Sequence, residues 1–299
     1  MASASSIAVI INPISGTGGR ADVARRRVEH AQAMIERGGV SGDVLVTEHP
    51  GHARELARAA VARGVSAFVA WGGDGTVNEV ASELAFRPET LAIIPSGSGN
   101  GLARELKIPF DPDRAFEVAL RGRDRIIDAG ELDGRLFFNI AGIGLDARVA
   151  HRFAADGLVR RGFMRYLEMT AAELLSYTPD DHTIVADGES IRLRTLVVAI
   201  ANGRQYGNGA LIAPHARLDD GKLDVVMVGH RSPFLALMQA PWVFTGQVGR
   251  LPGVLMRTAA DIEVTSAHPV IYHIDGEPCV GGASVTAHVR PRALRIRIP

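Results

Sequence analysis

The sequence lacks most of the features that would fix its class at a glance. It holds one cysteine, Cys279, in 299 residues. No internal disulfide can form, and no second thiol is present to pair with it at zinc-site spacing; this points to a reducing cytoplasm. The ten histidines make neither an HxH nor an HExxH spacing, so no zinc site is expected. Charge of either sign is not in excess: 33 Lys and Arg stand against 33 Asp and Glu. No bulk field therefore points to nucleic acid. No apolar run approaches the ~18 residues that cross a bilayer. An integral membrane protein is not expected, whereas binding at a membrane surface stays open. The opening MASASSIAVIINP lacks a basic n-region and runs into a strand, so it does not read as a signal peptide. No internal repeat or low-complexity tract is visible.

What is present suffices for two domains. Hydrophobic residues make up 46% of the chain and charged residues 22%, an ordinary globular balance. Residues 1–127 alternate strand and helix. Ile7–Ile11, Asp43–Thr47, Ala67–Trp71 and Leu91–Ile94 read as strands. Helices are predicted over Arg20–Arg37, His52–Arg63, the stretch after residue 76, a short piece from Asn100, and a segment begun by Asp111-Pro112. This alternation argues for a parallel sheet flanked by helices. From residue 128 the pattern becomes mostly antiparallel, with hairpin signals at Asp133-Gly134 and Asp187-Gly188. Strands are expected at Ile191–Val198, Lys222–Val228, Ile262–Thr265, Val270–Ile274 and Ala283–Val289, with helical insertions near 148–177 and 232–248. A sandwich or open barrel results.

Three glycine-rich loops, 12–19, 72–76 and 95–101, fall at the carboxyl ends of strands, where ligands bind in parallel α/β sheets. The middle one, within WGGDGTVNEV, follows a strand and opens a helix. Bare glycine amides and a helix N-terminus suit a phosphate. Yet there is no GxxxxGK[ST] and no GxGxxG at the first strand, so the loop is of another kind. Its acid, Asp74, could cap a turn. Beside phosphates, an acid acts through Mg²⁺ or as a proton acceptor. Three such loops at successive strand ends favour the ligand.

The motifs NPxSG at Asn12–Gly16, GGDGTVNE at Gly72–Glu79 and PSGSGNGLAREL at Pro95–Leu106 together resemble the diacylglycerol kinase catalytic-domain family. That family takes in bacterial diacylglycerol kinases, related lipid kinases, and sphingosine and ceramide kinases. GIGLDA at Gly142–Ala147 and IDGE at Ile274–Glu277 also fit, so the likeness runs along nearly the whole chain. It implies an N-terminal Rossmann-like α/β domain of the NAD kinase and diacylglycerol kinase type, residues 1–127. A C-terminal antiparallel β-sandwich domain would follow at 128–299, the last few residues being free to return to the first domain. The active site would lie in the cleft between them.

The resemblance implies ATP and Mg²⁺ as cofactors and a lipid hydroxyl as acceptor, with diacylglycerol favoured. A sphingoid base, ceramide, phosphatidylglycerol or a soluble polyol is the alternative, and a non-catalytic nucleotide sensor the second. Asn12, Ser15 and Gly16 would line the phosphates, and Gly72, Gly73, Gly75 and Thr76 would cradle them. Thr47, Ser96, Gly97, Ser98 and Asn100 would complete the pocket. Asp275 would be the base, with Glu277 beside it, and Asp74 would serve Mg-ATP or compete for the base role. On spacing alone Asp275-Gly276 is a hairpin turn and Asp146 a helix-start acid; the resemblance assigns Asp146 to the acceptor's head group. Asp219 and Asp220 match a segment that binds a structural metal in relatives, and read equally well as a turn.

A lipid acceptor implies a cytoplasmic protein peripheral to the inner face of a membrane; a homodimer is a family-level expectation. The arginines 160, 161 and 165, and the apolar stretch 232–248 with Phe234, Leu235, Leu237, Trp242, Val243 and Phe244, could rest on lipid. By themselves they read as two core helices with solvated charges. Arg25–Arg27 read as a solvated helix face, one of them near the phosphates, and Cys279 as a small core residue.

Overall fold

Residues 6–16, 21–155 and 163–299 are described in this computed structural model. They fall into two units, one of residues up to Ile127 together with Arg292–Pro299, the other Asp128–Pro291.

The first unit is organised by four parallel strands, β1 (Ser6–Ile11), β2 (Ser41–Val46), β3 (Ala67–Gly72) and β4 (Thr90–Pro95), in the order β2-β1-β3-β4. Ala8–Ile11 are entirely buried and Leu91–Ile94 nearly so. An uninterrupted apolar run is what a parallel strand covered on both faces demands. Helices α1 (Ala21–Gly38), α2 (His52–Ala62), α3 (Asp74–Leu84), α4 (Gly101–Glu105) and α5 (Pro112–Arg121) make the connections. Asp111 caps α5 by accepting the Arg114 amide at 3.0 Å, ahead of Pro112. The strand order reverses between β1 and β3, and that switch point is where such sheets take ligands. The loops after β1, β3 and β4 all open on that edge.

The chain leaves this unit within β5 (Arg123–Leu132) and returns within β15 (Ser284–Ile298). The last turn of β15 lies parallel to β4, with Arg295 opposite Thr90 and Ile296 opposite Leu91. The predicted strand at 283–289 is thus the first half of a 15-residue one. β5 carries no clear signal, because the acids and arginines at its outer end interrupt the apolar alternation.

The second unit is antiparallel. β5 turns into β6 (Arg135–Phe137) at Asp133-Gly134. β7 (Ile140–Gly144) lies between β9 (Glu189–Ala201) and β13 (Ile271–Ile274), and β13 pairs with β14 (Glu277–Val280). β9 also pairs with β8 (Asp181–Ala186) and β10 (Leu223–Gly229), and β10 with β11 (Val254–Ala259). β12 (Asp261–Ser266) bridges β8 and β15. Residues 189–194 of β9 face β8, while 195–201 run between β7 and β10, so one strand serves two layers. Ile143, Val198, Ile200, Val225 and Met227 pack against Ile184, Val264, Val285 and Ala287 to fill the sandwich.

Two helices follow β7. In α6 (Leu145–Ala155) and α7 (Phe163–Ser176), Leu145, Val149, Met169 and Leu174 form a small core of their own. The buried Glu173 pairs there with Arg148 at 2.9 Å and Arg152 at 2.5 Å.

Candidate functional site

In the first unit the three glycine loops are tied to one another. Asn12 donates from Nδ2 to Thr76 Oγ1 at 2.9 Å, joining the first loop to α3. The Ser15 and Ser96 hydroxyls meet at 2.7 Å, joining the first loop to the third. Gly16 has a φ of +83°, and a Cβ built on it would stand 2.3 Å from the Ser96 carbonyl oxygen. A Cβ on Gly97 would come within 2.6 Å of the Gly73 Cα, and one on Gly72 within 2.5 Å of the Thr76 side chain. Gly16 and Gly97 are needed because backbone approaches backbone, and Gly72 because the Thr76 side chain fills the space of its missing Cβ. Gly75 lies in the first turn of α3, whose amides have no acceptor within the helix and emerge at this edge.

Asp74 is the clasp. Its Oδ1 accepts the Gly101 amide at 2.7 Å and its Oδ2 the Asn100 amide at 2.8 Å. Asn100, itself left-handed with φ +52°, closes the third loop by accepting from the Gly97 amide at 2.8 Å and donating to its carbonyl at 2.6 Å. Ser98 lies half-buried in that loop. Thr47 is buried just past β2, its amide donating to Ile11 at 2.9 Å. Glu79, later in the same motif as Asp74, accepts the Gly51 and Ala53 amides at 2.9 and 3.0 Å and so fixes the start of α2.

A cation braces the first loop. Arg27 folds back onto it, donating to the Asn12 carbonyl, the Ser15 hydroxyl and the Ser15 carbonyl at 2.8–2.9 Å. Burial pushes its guanidinium below its ordinary value, though an arginine stays charged. Arg25 and Arg26 lie on the solvated face, exposed beside Glu29 and Asp22, and Arg27 is the one of the three that reaches the loop. Its signal was positional: seven residues into α1, it faces back to the loop that precedes the helix.

In the second unit, Asp275 and Gly276 form the corner between β13 and β14 with φ of +47° and +88°. The turn reading is thus correct in geometry, but the side chain does more. Asp275 Oδ2 accepts the Phe138 amide at 2.9 Å, and Oδ1 accepts those of Asn139 and Ile140 at 3.1 and 3.0 Å. Glu277 lies at the surface, 3.4 Å from Arg135.

Asp146 occupies the first turn of α6. Its Oδ2 accepts the Tyr206 hydroxyl at 2.7 Å and stands 3.3 Å from His273 Nε2. His273 is buried, and its Nδ1 accepts the Gly276 amide at 3.3 Å. That leaves Nε2 as the protonated nitrogen facing the carboxylate. Gly142 makes room for the pair: a Cβ there would be 2.0 Å from Asp146 Oδ2 and 2.5 Å from His273 Nε2. The pair thus connects the GIGLDA and IDGE segments. Neither Tyr206 nor His273 is singled out by sequence; the glycines around QYGNG were the available hint.

Asp219 and Asp220 sit in the turn before β10. Asp220 Oδ1 accepts the Lys222 amide at 3.1 Å, and Asp128 accepts the Gly221 amide at 2.8 Å. Asp224, buried nearby, has its carboxyl pushed up to about 6, first by burial and then by Asp220, with His215 opposing. Among the described residues, the grouping of three or more metal-ligating side chains within reach of one ion is His49, His52 and Glu55, on the surface. The geometry at 219–222 is that of a turn.

Mg²⁺ fits the first unit in a restricted way. Asp74 shares both oxygens with amides, and among the described residues it belongs to no grouping of three or more metal-ligating side chains. That is the donor set expected when Mg²⁺ arrives with nucleotide phosphates and retains waters. Of the basic stretch named above, residues 160–161 lie outside the described residues, and Arg165 stands 3.5 Å from Glu168.

Two family descriptions match this chain: the diacylglycerol kinase catalytic domain over residues 6–132, and the YegS C-terminal NAD kinase beta sandwich-like domain over residues 139–298. A protein named "Probable lipid kinase YegS-like" from Pseudomonas aeruginosa is 34% identical, with 91% of this chain and 89% of that one covered. A protein of the same name from Yersinia enterocolitica is 31% identical over 91% of this chain and 92% of its own. A crystal structure of a diacylglycerol kinase from Bacillus anthracis strain Sterne superposes with a TM-score of 0.72 at 18% identity, covering 99% of this chain and 97% of that one. At that identity the superposition speaks for the fold alone.

Proposed function

The chain belongs to the diacylglycerol kinase catalytic-domain family, completed by a YegS-type C-terminal domain, and is a lipid kinase; from that premise we infer that it transfers the γ-phosphoryl group of ATP to the hydroxyl of diacylglycerol, giving phosphatidic acid. The observation that carries this reading is the convergence of the three glycine loops at the β1/β3 switch point, clasped by Asp74, in a chain matched to the family from end to end.

The loops bind and orient ATP. Asn12, Ser15, Gly16, Gly72, Gly73, Gly75 and Thr76 line its phosphates, Arg27 stiffens the loop that holds them, and Thr47, Ser96, Gly97, Ser98 and Asn100 close the pocket. Asp74 would hold Mg²⁺ arriving with the nucleotide, and the ion would neutralise phosphate charge. Phosphoryl transfer asks chiefly for such positioning.

The acceptor hydroxyl must lose its proton as its oxygen bonds to the γ-phosphorus and ADP departs. Asp275 and Glu277 share that task unequally. Three amides engage the Asp275 carboxylate and tie it to the start of β7. Glu277, two residues on and at the surface, takes the proton, while Asp275 fixes the turn that presents it. Asp146, oriented by Tyr206 and His273, holds the acceptor's polar head. The enzyme works from the cytoplasm at the inner face of a membrane; no helix among the described residues is long and apolar enough to cross one.

The test is transfer from γ-labelled ATP with Mg²⁺ to a panel of lipids in mixed micelles. Labelled phosphatidic acid, lost in Glu277→Gln with ATP binding retained, is the expected result. Label in a sphingoid base, ceramide or phosphatidylglycerol instead would replace the acceptor. No labelled lipid, with ATP still bound, would overturn the reading.

A further inference from the structure

We propose that the excursion between β10 and β11, residues 230–253, is a membrane-docking arm that inserts apolar side chains into the surface of a phospholipid bilayer. The inference rests on the lipid-acceptor reading for its choice of partner and on the arm itself for everything else.

From Pro233 to Gly249 no residue is charged. A surface segment of that length without charge is already unusual, and the structure adds where its side chains go. α8 (Pro233–Gln239) and the 3₁₀ turn that follows (Ala240–Thr245) bury no residue. Phe234 is 75% exposed, Met238 62% and Leu237 57%, with Leu235, Phe244 and Trp242 between 42 and 45%. Six large apolar side chains in eleven residues thus face outward. The expectation of a core helix at 232–248 is overturned by these exposures.

The arm is nevertheless built, not loose. Ser232 caps α8 by accepting the Leu235 amide. The Arg231 guanidinium bonds Gln239 and the Pro252 carbonyl, tying the two ends of the arm together. The Val243 carbonyl accepts the Leu211 amide at 2.8 Å, and Val248 is buried in the cluster of Ile140, Ala199, Ile212 and Val226. Inward positions anchor the arm while the outward ones stay bare. Ala236 packs toward α7, which itself exposes Leu175 and Leu167.

A contiguous apolar patch on a monomer marks an interaction surface. A bilayer fits this one better than a protein does. The acceptor is a lipid. The patch is a short helix and a 3₁₀ turn that bury no residue and set aromatic side chains beside aliphatic ones, the pattern of interfacial segments. Its arginines are spent locally, Arg231 as above and Arg250 on Gln247, so attachment is apolar and persists at high salt.

The experiment uses the full chain, without nucleotide or acceptor, and vesicles of phosphatidylcholine with phosphatidylglycerol. Co-sedimentation is measured, along with tryptophan emission. The chain has two tryptophans; Trp71 is buried, so a blue shift on adding vesicles reports Trp242, and Trp242→Phe removes it. The doubly substituted Phe234→Ser, Leu237→Ser protein is expected to bind vesicles about tenfold more weakly or worse, with ATP affinity and circular dichroism unchanged. Absence of vesicle binding, binding that the double substitution leaves intact, or a dimer in sedimentation equilibrium that the same substitutions abolish would each overturn the proposal, the last in favour of a second copy. Phosphorylation is assayed separately with a short-chain diacylglycerol dispersed in detergent. Docking without turnover of any lipid would leave the arm and remove the acceptor reading; turnover without docking would do the reverse.

Discussion

Glycine does opposite work in the two units. In the first, Gly72, Gly73 and Gly97 have ordinary φ values and no room: any Cβ would run into Thr76 or into facing backbone. In the second, Gly134, Gly188 and Gly276 have φ of +77°, +88° and +88° and nothing within 4 Å of the missing Cβ. The first set is there for space, the second for conformation. The acids next to them differ as a consequence. Asp74 clasps a neighbouring loop 26–27 residues away in sequence. Asp275, thrown outward by its hairpin corner, clasps amides 135–137 residues away. A motif acid can therefore serve to hold distant backbone in place.

The sharpest way to break this comparison is Asp275→Asn. The amide offers one acceptor oxygen to three amides and turns its own donors on them. The expected loss is about 3 kcal/mol of stability, read in urea unfolding, together with loss of lipid phosphorylation. Full stability with no turnover would instead make Asp275 a chemical residue. Gly97→Ala comes next: overpacking costs roughly 1–3 kcal/mol and should surface as about a tenfold weaker ATP Kd in titration calorimetry. Gly142→Ala pushes Asp146 and His273 apart, and raises KM for the acceptor several-fold while leaving ATP affinity unchanged. Gly188→Ala, in the left-handed but open corner, costs only about 1 kcal/mol, and leaves both substrates' kinetics alone.

The smallest effect concerns pH. Asp224 has a folded pKa of about 6, above the ordinary carboxylate value. A raised pKa means the folded chain holds a proton that the unfolded chain has already released. Its contribution to stability is fully present below about pH 4 and is lost as pH rises through about 6. Asp224→Asn should flatten the unfolding free energy across that window.

The first unit was legible because its signals are local. Ile7–Ile11 and Leu91–Ile94 are apolar runs, the helix after Gly73 shows its period within eight residues, and Asp111-Pro112 announces a helix start that the structure keeps. The Asp-Gly corners at 133 and 187 were legible for the same reason. What escaped was non-local. Nothing near Thr195 tells that β9 changes layers there, and nothing near Tyr206 or His273 reveals a partner 60 or 127 residues upstream. Phe234 and Trp242 were visible as apolar residues, but periodicity does not distinguish a face turned to the core from one turned away.

Residues 292–299 complete the first unit. Ala293, Leu294 and Ile296 are buried in it, Ala293 accepts the Phe86 amide at 2.7 Å, and Arg297 pairs with Asp124 at 2.6 Å. On the ribosome, the first unit is therefore begun before the second and completed after it. Until residue 298 has emerged, Thr90 and Leu91 present an open strand edge to whatever else is in the cell, so a nascent chain stalled in the second half is exposed to chaperones and to aggregation at a known place.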